Sequence, residues 1–244
     1  SMQPSGHIVL NGDDDKLATV DGYHGVKPVF FGLDAKRDVY ADQIVSRGLK
    51  GVSCRIHMGE DAFDVLVPTP GIHMVYNALA AAAVGRIYGL TIEEIKRGIE
   101  SLETIRGRFK MIETENFLVV DDCYNANPMS MKASLDVLHD GEGRRVAILG
   151  DMGELGENEI SLHEEVGEHA AKCGIDVCIC VGELSSHIAE AARKADPDFE
   201  VHYEKDRESL LKKLGGYVHK GDTILVKASH FMKFEEVVDA LEKM

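Results

Sequence analysis

The apolar positions of the chain change their spacing a little before its midpoint. Between residues 7 and 67 they come as short runs (HIVL, VFF, VSCRIH and FDVLV) separated by Gly- and Asp-rich punctuation, the pattern of strands and turns. PTPG at 68–71 stops the last run, and the spacing predicts a helix from about Met74 to Tyr88. Gly89 ends that helix, and Thr91 caps a second one, TIEEIKRGIESL. The ETIRG stretch at 103–107 reads as a hinge.

From Arg108 onward β-branched apolar runs alternate with amphipathic stretches. FLVVDD leads to a helix after Pro128, RVAILGD to one near 161–173, and DVCICVGE to one at 184–195. A strand near 200–203, a helix near 206–214, the strand TILVKAS and a helix over about 233–243 complete the series. Such alternation predicts βαβ units and an α/β, doubly wound, mostly parallel sheet. The first half lacks the crossover helices a parallel sheet would require and reads as a partial domain. The predicted domains are 1–106 and 107–244, with no internal repeat and no low-complexity segment.

Composition narrows the class. With 44% hydrophobic and 28% charged residues in 244, the chain is globular, and its net charge of -15 argues against nucleic acid or anionic lipid as a partner. No apolar run approaches the roughly 20 residues of a spanning helix; the most lipid-like, Ala78 to Val84, is short and Ala-rich. Five irregularly spaced cysteines, an odd number, argue against a disulfide framework and for a reducing, cytoplasmic compartment. Cys178 and Cys180, inside an apolar strand, are expected to point apart and to be inert buried thiols. Ser1 ahead of Met2 reads as a cloning remnant.

Ligands of a doubly wound sheet gather beyond the carboxyl ends of its strands. Three predicted strand ends here are more polar than packing asks. In VVDDCYNANP, Asp121 and Asp122 end an apolar strand, and Tyr124, Asn125 and Asn127 follow before a helix-starting proline; an ordinary turn needs fewer polar groups. ILGDMGELG ends in Asp151 among glycines that let a ligand approach the backbone, and it reads equally as a tight turn. LVKAS brings Lys227 and Ser229, with His230 behind them. Elsewhere His73 and Asn77 lie four apart at the start of a helix and share a face, beside an alanine run narrow enough for a flat ligand or a packed sheet. Arg108 follows the hinge, where a cation could reach an anion across two domains. LHEEVGEH lacks the second histidine of a zinc helix at the required spacing, and the absence of any Gly-Lys dipeptide rules out a GxxxxGK[ST] phosphate loop within this sequence.

VLNGDDDKL, GIHMVYNALAAA, GRFKMIE, DDCYNANPMSM, LGDMGELG and VKASHFMKFEEVV together resemble the Mur ligase family along nearly the whole chain. The resemblance is to its branch that adds D-alanyl-D-alanine to UDP-N-acetylmuramoyl-tripeptide. It implies the rear part of a central ATPase domain, strands plus two helices, followed by a Rossmann-like C-terminal domain. It also implies an ATP- and magnesium-dependent, peptide-bond-forming ligase of peptidoglycan synthesis. The phosphate loop and most magnesium ligands would lie upstream, so this chain alone is expected to be inactive. By the same resemblance His73 and Asn77 would flank adenine, Arg108 would meet the ATP phosphates, and Asp122 or Asp121 the ribose. Asn125 and Asn127 would sit near the reacting phosphate, and Asp151, Lys227 and Ser229 would face the dipeptide or the closing interface. Two positions depart from the family pattern: Met74 stands where Asn is usual and Ala228 where Gly is.

A receiver-like phosphoacceptor module is the rival, with Asp151 as acceptor and Asp121, Asp122 and Lys227 around it. It leaves NANP, LGDMGELG and the first hundred residues unexplained. A redox dinucleotide-binding domain fails for want of GxGxxG.

Overall fold

A computed structural model describes residues 6–244, so Ser1 lies outside the described residues. The chain divides into two compact units, one ending at Glu103 and one beginning at Thr104.

The first unit holds β1 (Ile8–Asn11), β2 (Pro28–Gly32), β3 (Val39–Ser46), β4 (Val52–Met58) and β5 (Asp61–Val67), then α1 (Ile72–Ile87) and α2 (Ile92–Glu100). The strands form one sheet in sequence order, parallel from β1 to β3 and antiparallel from β3 to β5. A parallel run without crossover helices corrects the sequence expectation. β2 and β3 overlap by only two pairs, Phe31 with Val39 and Gly32 with Tyr40, so the chain need not travel back a strand's length between them. β3 itself is absent from the predicted elements. Asp42 and Gln43 break its apolar pattern, and a bulge between Asp42 and Val45, with Gln43 at φ 50, accommodates them.

Helix α1 begins two residues before the predicted start, after Gly71 at φ 98. It buries Val75, Ala78, Leu79, Ala82 and Ala83 over a sheet face of Ile56, Met58 and Val65, so the alanine run is packing surface. α2 starts in a capping box: the Thr91 hydroxyl accepts the Glu94 amide at 3.2 Å, and the Glu94 carboxylate accepts the Thr91 amide at 2.9 Å.

In the second unit the order is β6 (Lys110–Glu113), β7 (Leu118–Asp121), α3 (Pro128–His139), β8 (Arg145–Gly150), α4 (Glu159–Ala170) and β9 (Val177–Val181). Then come α5 (Ser185–Ala195), β10 (Glu200–Glu204), α6 (Arg207–Tyr217), β11 (Thr223–Lys227) and α7 (Glu235–Glu242). The sheet runs β10-β9-β8-β11-β7-β6, parallel except for the edge strand β6. This is the predicted α/β, doubly wound sheet, and its middle is dry: β9 and β11 are buried along their whole length.

Cys178 and Cys180 overturn one expectation. Residues two apart on a strand face the same side, not opposite sides, and the two sulfur atoms stand 3.6 Å apart. Both are buried, and all five cysteines are free. None of the helices among the described residues is long and apolar enough to cross a membrane.

Candidate functional site

Strand order creates the site in the second unit. β11 is the last strand in the chain, yet it lies between β7 and β8, with Val226 beside Asp121 and Lys227 beside Leu149. The polar ends of β7, β8 and β11, far apart in sequence, therefore lie side by side where a doubly wound sheet places ligands.

The two adjacent aspartates have different surroundings. Asp121 is fully buried, and Oδ2 accepts the Gly107 amide at 2.8 Å. Its Oδ1 accepts the Cys123 thiol at 3.0 Å. Burial pushes the Cys123 thiol well up, and the hydrogen bond and charge of Asp121 add to it, so the sulfur keeps the proton it donates. Asp122 is partly open. It accepts the Phe109 amide at 3.2 Å and the Ser134 hydroxyl at 2.8 Å, and it pairs with the Lys227 ammonium at 2.5 Å. Lys227 is 2% exposed and also donates to the Asn125 carbonyl at 3.2 Å, so its charge is spent within the site.

The loop after β8 is tied to the loop after β11. Ser229 donates its amide to the Asp151 carbonyl at 3.1 Å, and its hydroxyl accepts the Gly153 amide at 2.9 Å. The Asp151 carboxylate turns toward the next strand end, where the Ser185 amide and hydroxyl both donate to Oδ1 at 2.7 Å. Gly182 makes this turn possible: a Cβ there would fall 2.4 Å from Oδ1. Lys227 therefore pairs with Asp122, whereas Asp151 is held by Ser185. Ser185 carries no sequence signal, because it starts a helix after a different strand and meets Asp151 only through the β8–β9 pairing.

Around this base lie exposed groups. Asn125 is exposed, with Oδ1 turned to the Ala126 amide at 2.9 Å. Asn127 is the N-cap of α3, accepting the Ser130 amide at 2.8 Å. The Arg108 guanidinium lies 4.2 Å from the centre of the Tyr124 ring, and Tyr124 in turn lies 5.3 Å from the His230 ring. In the sequence Tyr124 and His230 read only as neighbours of a site; the fold lays Arg108 over the Tyr124 ring and sets the His230 ring beside it at a tilt of 39°.

In the first unit His73 and Asn77 project from the first turns of α1, both exposed. Asn77, Met74, Ala78 and Ala81 form one wall of a groove of about 450 Å³, closed opposite by Leu90 and Ile95. The Asn77 amide nitrogen lies 3.4 Å from the Met74 sulfur. His73 is not among the groove's walls. No three His, Cys, Asp or Glu side chains among the described residues converge as a metal-binding group.

Comparison with known proteins gives two family matches: the Mur ligase glutamate ligase domain over residues 107–230 and the Mur ligase middle domain over residues 1–85. Among curated relatives, the UDP-N-acetylmuramoyl-tripeptide–D-alanyl-D-alanine ligase of Escherichia coli is 34% identical over 99% of this chain and 53% of its own length. The Bacillus subtilis protein of the same name is 34% identical over 98% of this chain and 52% of its own. A crystal structure of MurF from Acinetobacter baumannii superposes with a TM-score of 0.87 at 28% identity, covering 99% of this chain and 52% of that one. MurF ligase from Thermotoga maritima, solved in complex with ADP, gives 0.78 at 28% identity, covering 96% and 52%. The chain thus spans about half the length of the relatives it matches.

Proposed function

The chain belongs to the Mur ligase family, and from that premise we propose that it is the rear half of an ATP-dependent ligase joining D-alanyl-D-alanine to UDP-N-acetylmuramoyl-tripeptide. The observation that carries this reading is the set of polar strand ends gathered by the insertion of β11 between β7 and β8, in a chain that matches ligases of that name along nearly its whole length. In the proposed reaction the tripeptide carboxylate takes the ATP γ-phosphoryl group and ADP leaves. The amine of the dipeptide then attacks the acyl phosphate, an amide forms, and inorganic phosphate and a proton are released.

This chain's share is positioning and charge. Arg108 meets the nucleotide phosphates, and Asp122, the more open aspartate, meets the ribose. Asn77, with His73 nearby, faces the adenine. Asn125 and Asn127 border the reacting phosphate. Lys227 keeps Asp122 in place, and Asp151 and Ser229 shape the loop pair facing the dipeptide. Magnesium, which would neutralise phosphate charge when bound, is assigned to a portion of the ligase this chain does not span. The reaction is placed in the cytoplasm, in keeping with five free thiols.

With no Gly-Lys dipeptide in the sequence to form a phosphate loop, the purified 244-residue chain with ATP and magnesium should release no phosphate above a blank. The full-length protein should sustain ADP formation beyond one equivalent per enzyme only when UDP-tripeptide and D-alanyl-D-alanine are both present. ADP formation indifferent to the dipeptide would overturn the substrate assignment. Hydroxylamine-labile phosphate on Asp151 after incubation with acetyl phosphate would return the question to the receiver-like alternative.

A further inference from the structure

Arg108 is held in an uncommon way. Its two neighbours both have left-handed backbones, Gly107 at φ 80 and Phe109 at φ 53. A non-glycine residue stays in that region only when its surroundings impose it. Those surroundings are the two aspartates at the end of β7. Asp121 takes the Gly107 amide at 2.8 Å, and Asp122 takes the Phe109 amide at 3.2 Å. The turn is fastened a third time where the Gly107 carbonyl accepts the Tyr124 amide at 2.9 Å, which brings the Tyr124 ring under the Arg108 guanidinium. A Cβ at Gly107 would lie 3.1 Å from that of Tyr124, a tight contact at a φ of 80 that already favours glycine.

Asp121 has no access to a ligand. It is fully buried, and its partners are all from this chain: the Gly107 amide, the Cys123 amide and thiol, and Arg106 at 3.9 Å. We propose that Asp121 is a positioning residue: its buried carboxylate holds the 107–109 turn in the shape that seats Arg108 on Tyr124. The adjacent carboxylates thus divide the work, Asp121 anchoring the turn and Asp122 staying open to a ligand. The inference deepens the ligase reading and rests on it only where turnover is concerned.

Two measurements test it. In the 244-residue chain, the Arg108 side-chain protons over the Tyr124 ring face should be shifted upfield by NMR, and Tyr124→Leu should remove the shift and so assign it. Asp121→Asn, which replaces one acceptor oxygen by a donor, should also remove it. Cys123→Ser, which still donates to Asp121, should keep it. Where Asp121→Asn fails to fold, Asp121→Ser, which withdraws the carboxylate from the Gly107 amide, should give the same loss. An unchanged Arg108 shift in a folded Asp121→Asn or Asp121→Ser chain overturns the proposal.

In the full-length enzyme, Arg108→Ala should lower kcat by roughly 10²–10³, the scale for loss of one preorganised charge-stabilising donor. Adding Asp121→Asn to Arg108→Ala should cost less than about threefold more, because residues acting through one contact are not additive. Losses that multiply would show that Asp121 works independently of Arg108. A full-length protein without ligase activity would sink the ligase reading, and the NMR result would still decide the positioning role.

Discussion

Asp176 shows how far one arginine can go in holding a carboxylate. Arg145 gives it a backbone amide at 2.8 Å, Nε at 2.7 Å and Nη2 at 2.9 Å. The side-chain hydrogen bonds to Arg145 hold its carboxyl below the ordinary 3.8, against a smaller opposing effect of burial. A depressed folded-state value stabilises the protein above the unfolded-state value, and that contribution is lost as pH falls through the folded one. The unfolding midpoint in urea should therefore drop on acidification below about pH 4, and Asp176→Asn should flatten part of that drop. The effect is small because the pair is partly solvated. An acid limb identical in the variant would refute the assignment. His163 is fixed by different logic. The Glu159 carbonyl, 2.6 Å from Nδ1, can only accept, and the Met152 amide, 3.0 Å from Nε2, can only donate. The buried ring is therefore neutral with its proton on Nδ1. The failed zinc motif is thus a brace for the loop carrying Asp151. His163→Leu would strand the Met152 amide and should cost about 1–3 kcal/mol in urea unfolding. His163→Gln, which keeps an acceptor, should recover part of it; equal losses would dismiss the hydrogen bond as the cause.

Helix α3 begins with Asn127 as N-cap and Pro128 in the first turn, and the Asn127 and Ser130 side chains cap each other's amides at 2.8 and 3.1 Å. This start was legible, because NANP names both the cap and the breaker. The short edge strand β6 was not, since KMIE is four residues long with half its side chains exposed. Nor was the partner of Asp151, since only the pairing of β8 with β9 brings Ser185 to it. The cap raises a question that two substitutions separate. Asn127→Ala should destabilise by about 0.5–2 kcal/mol, the usual cost of a lost cap, and Asn127→Ser should cost little. If the amide also borders the reacting phosphate, the serine variant of the full-length ligase should still lose turnover at unchanged thermal stability. Turnover within twofold of wild type would leave Asn127 as a cap and nothing more.

At the scale of the molecule, the alternating pattern after Arg108 made the second sheet legible, but not its strand order, and the order is what makes the site. Apolar periodicity says that β7, β8 and β11 are strands; nothing in it says that β11 lies between the other two. The same order bears on where the structure is strongest. β9 and β11 are buried at every residue, and β8 at all but its first. β1 and most of β2 are only half-buried, and β1 lies at the edge of its sheet. Opening free energy follows buried apolar contact, so amide hydrogen exchange should be slowest in β8, β9 and β11 and faster by orders of magnitude in β1 and β2. The segment from Leu102 to Ile105 has no regular structure, and Leu102, Glu103 and Ile105 are exposed. A protease present briefly should therefore cut there first and leave a resistant fragment of about 104–244, because each unit has its own core. That fragment should keep the slow amides of β8, β9 and β11 at their rates in the whole chain. First cleavage within β8–β11, or a released fragment whose central amides exchange freely, would mean that the second unit does not stand on its own core.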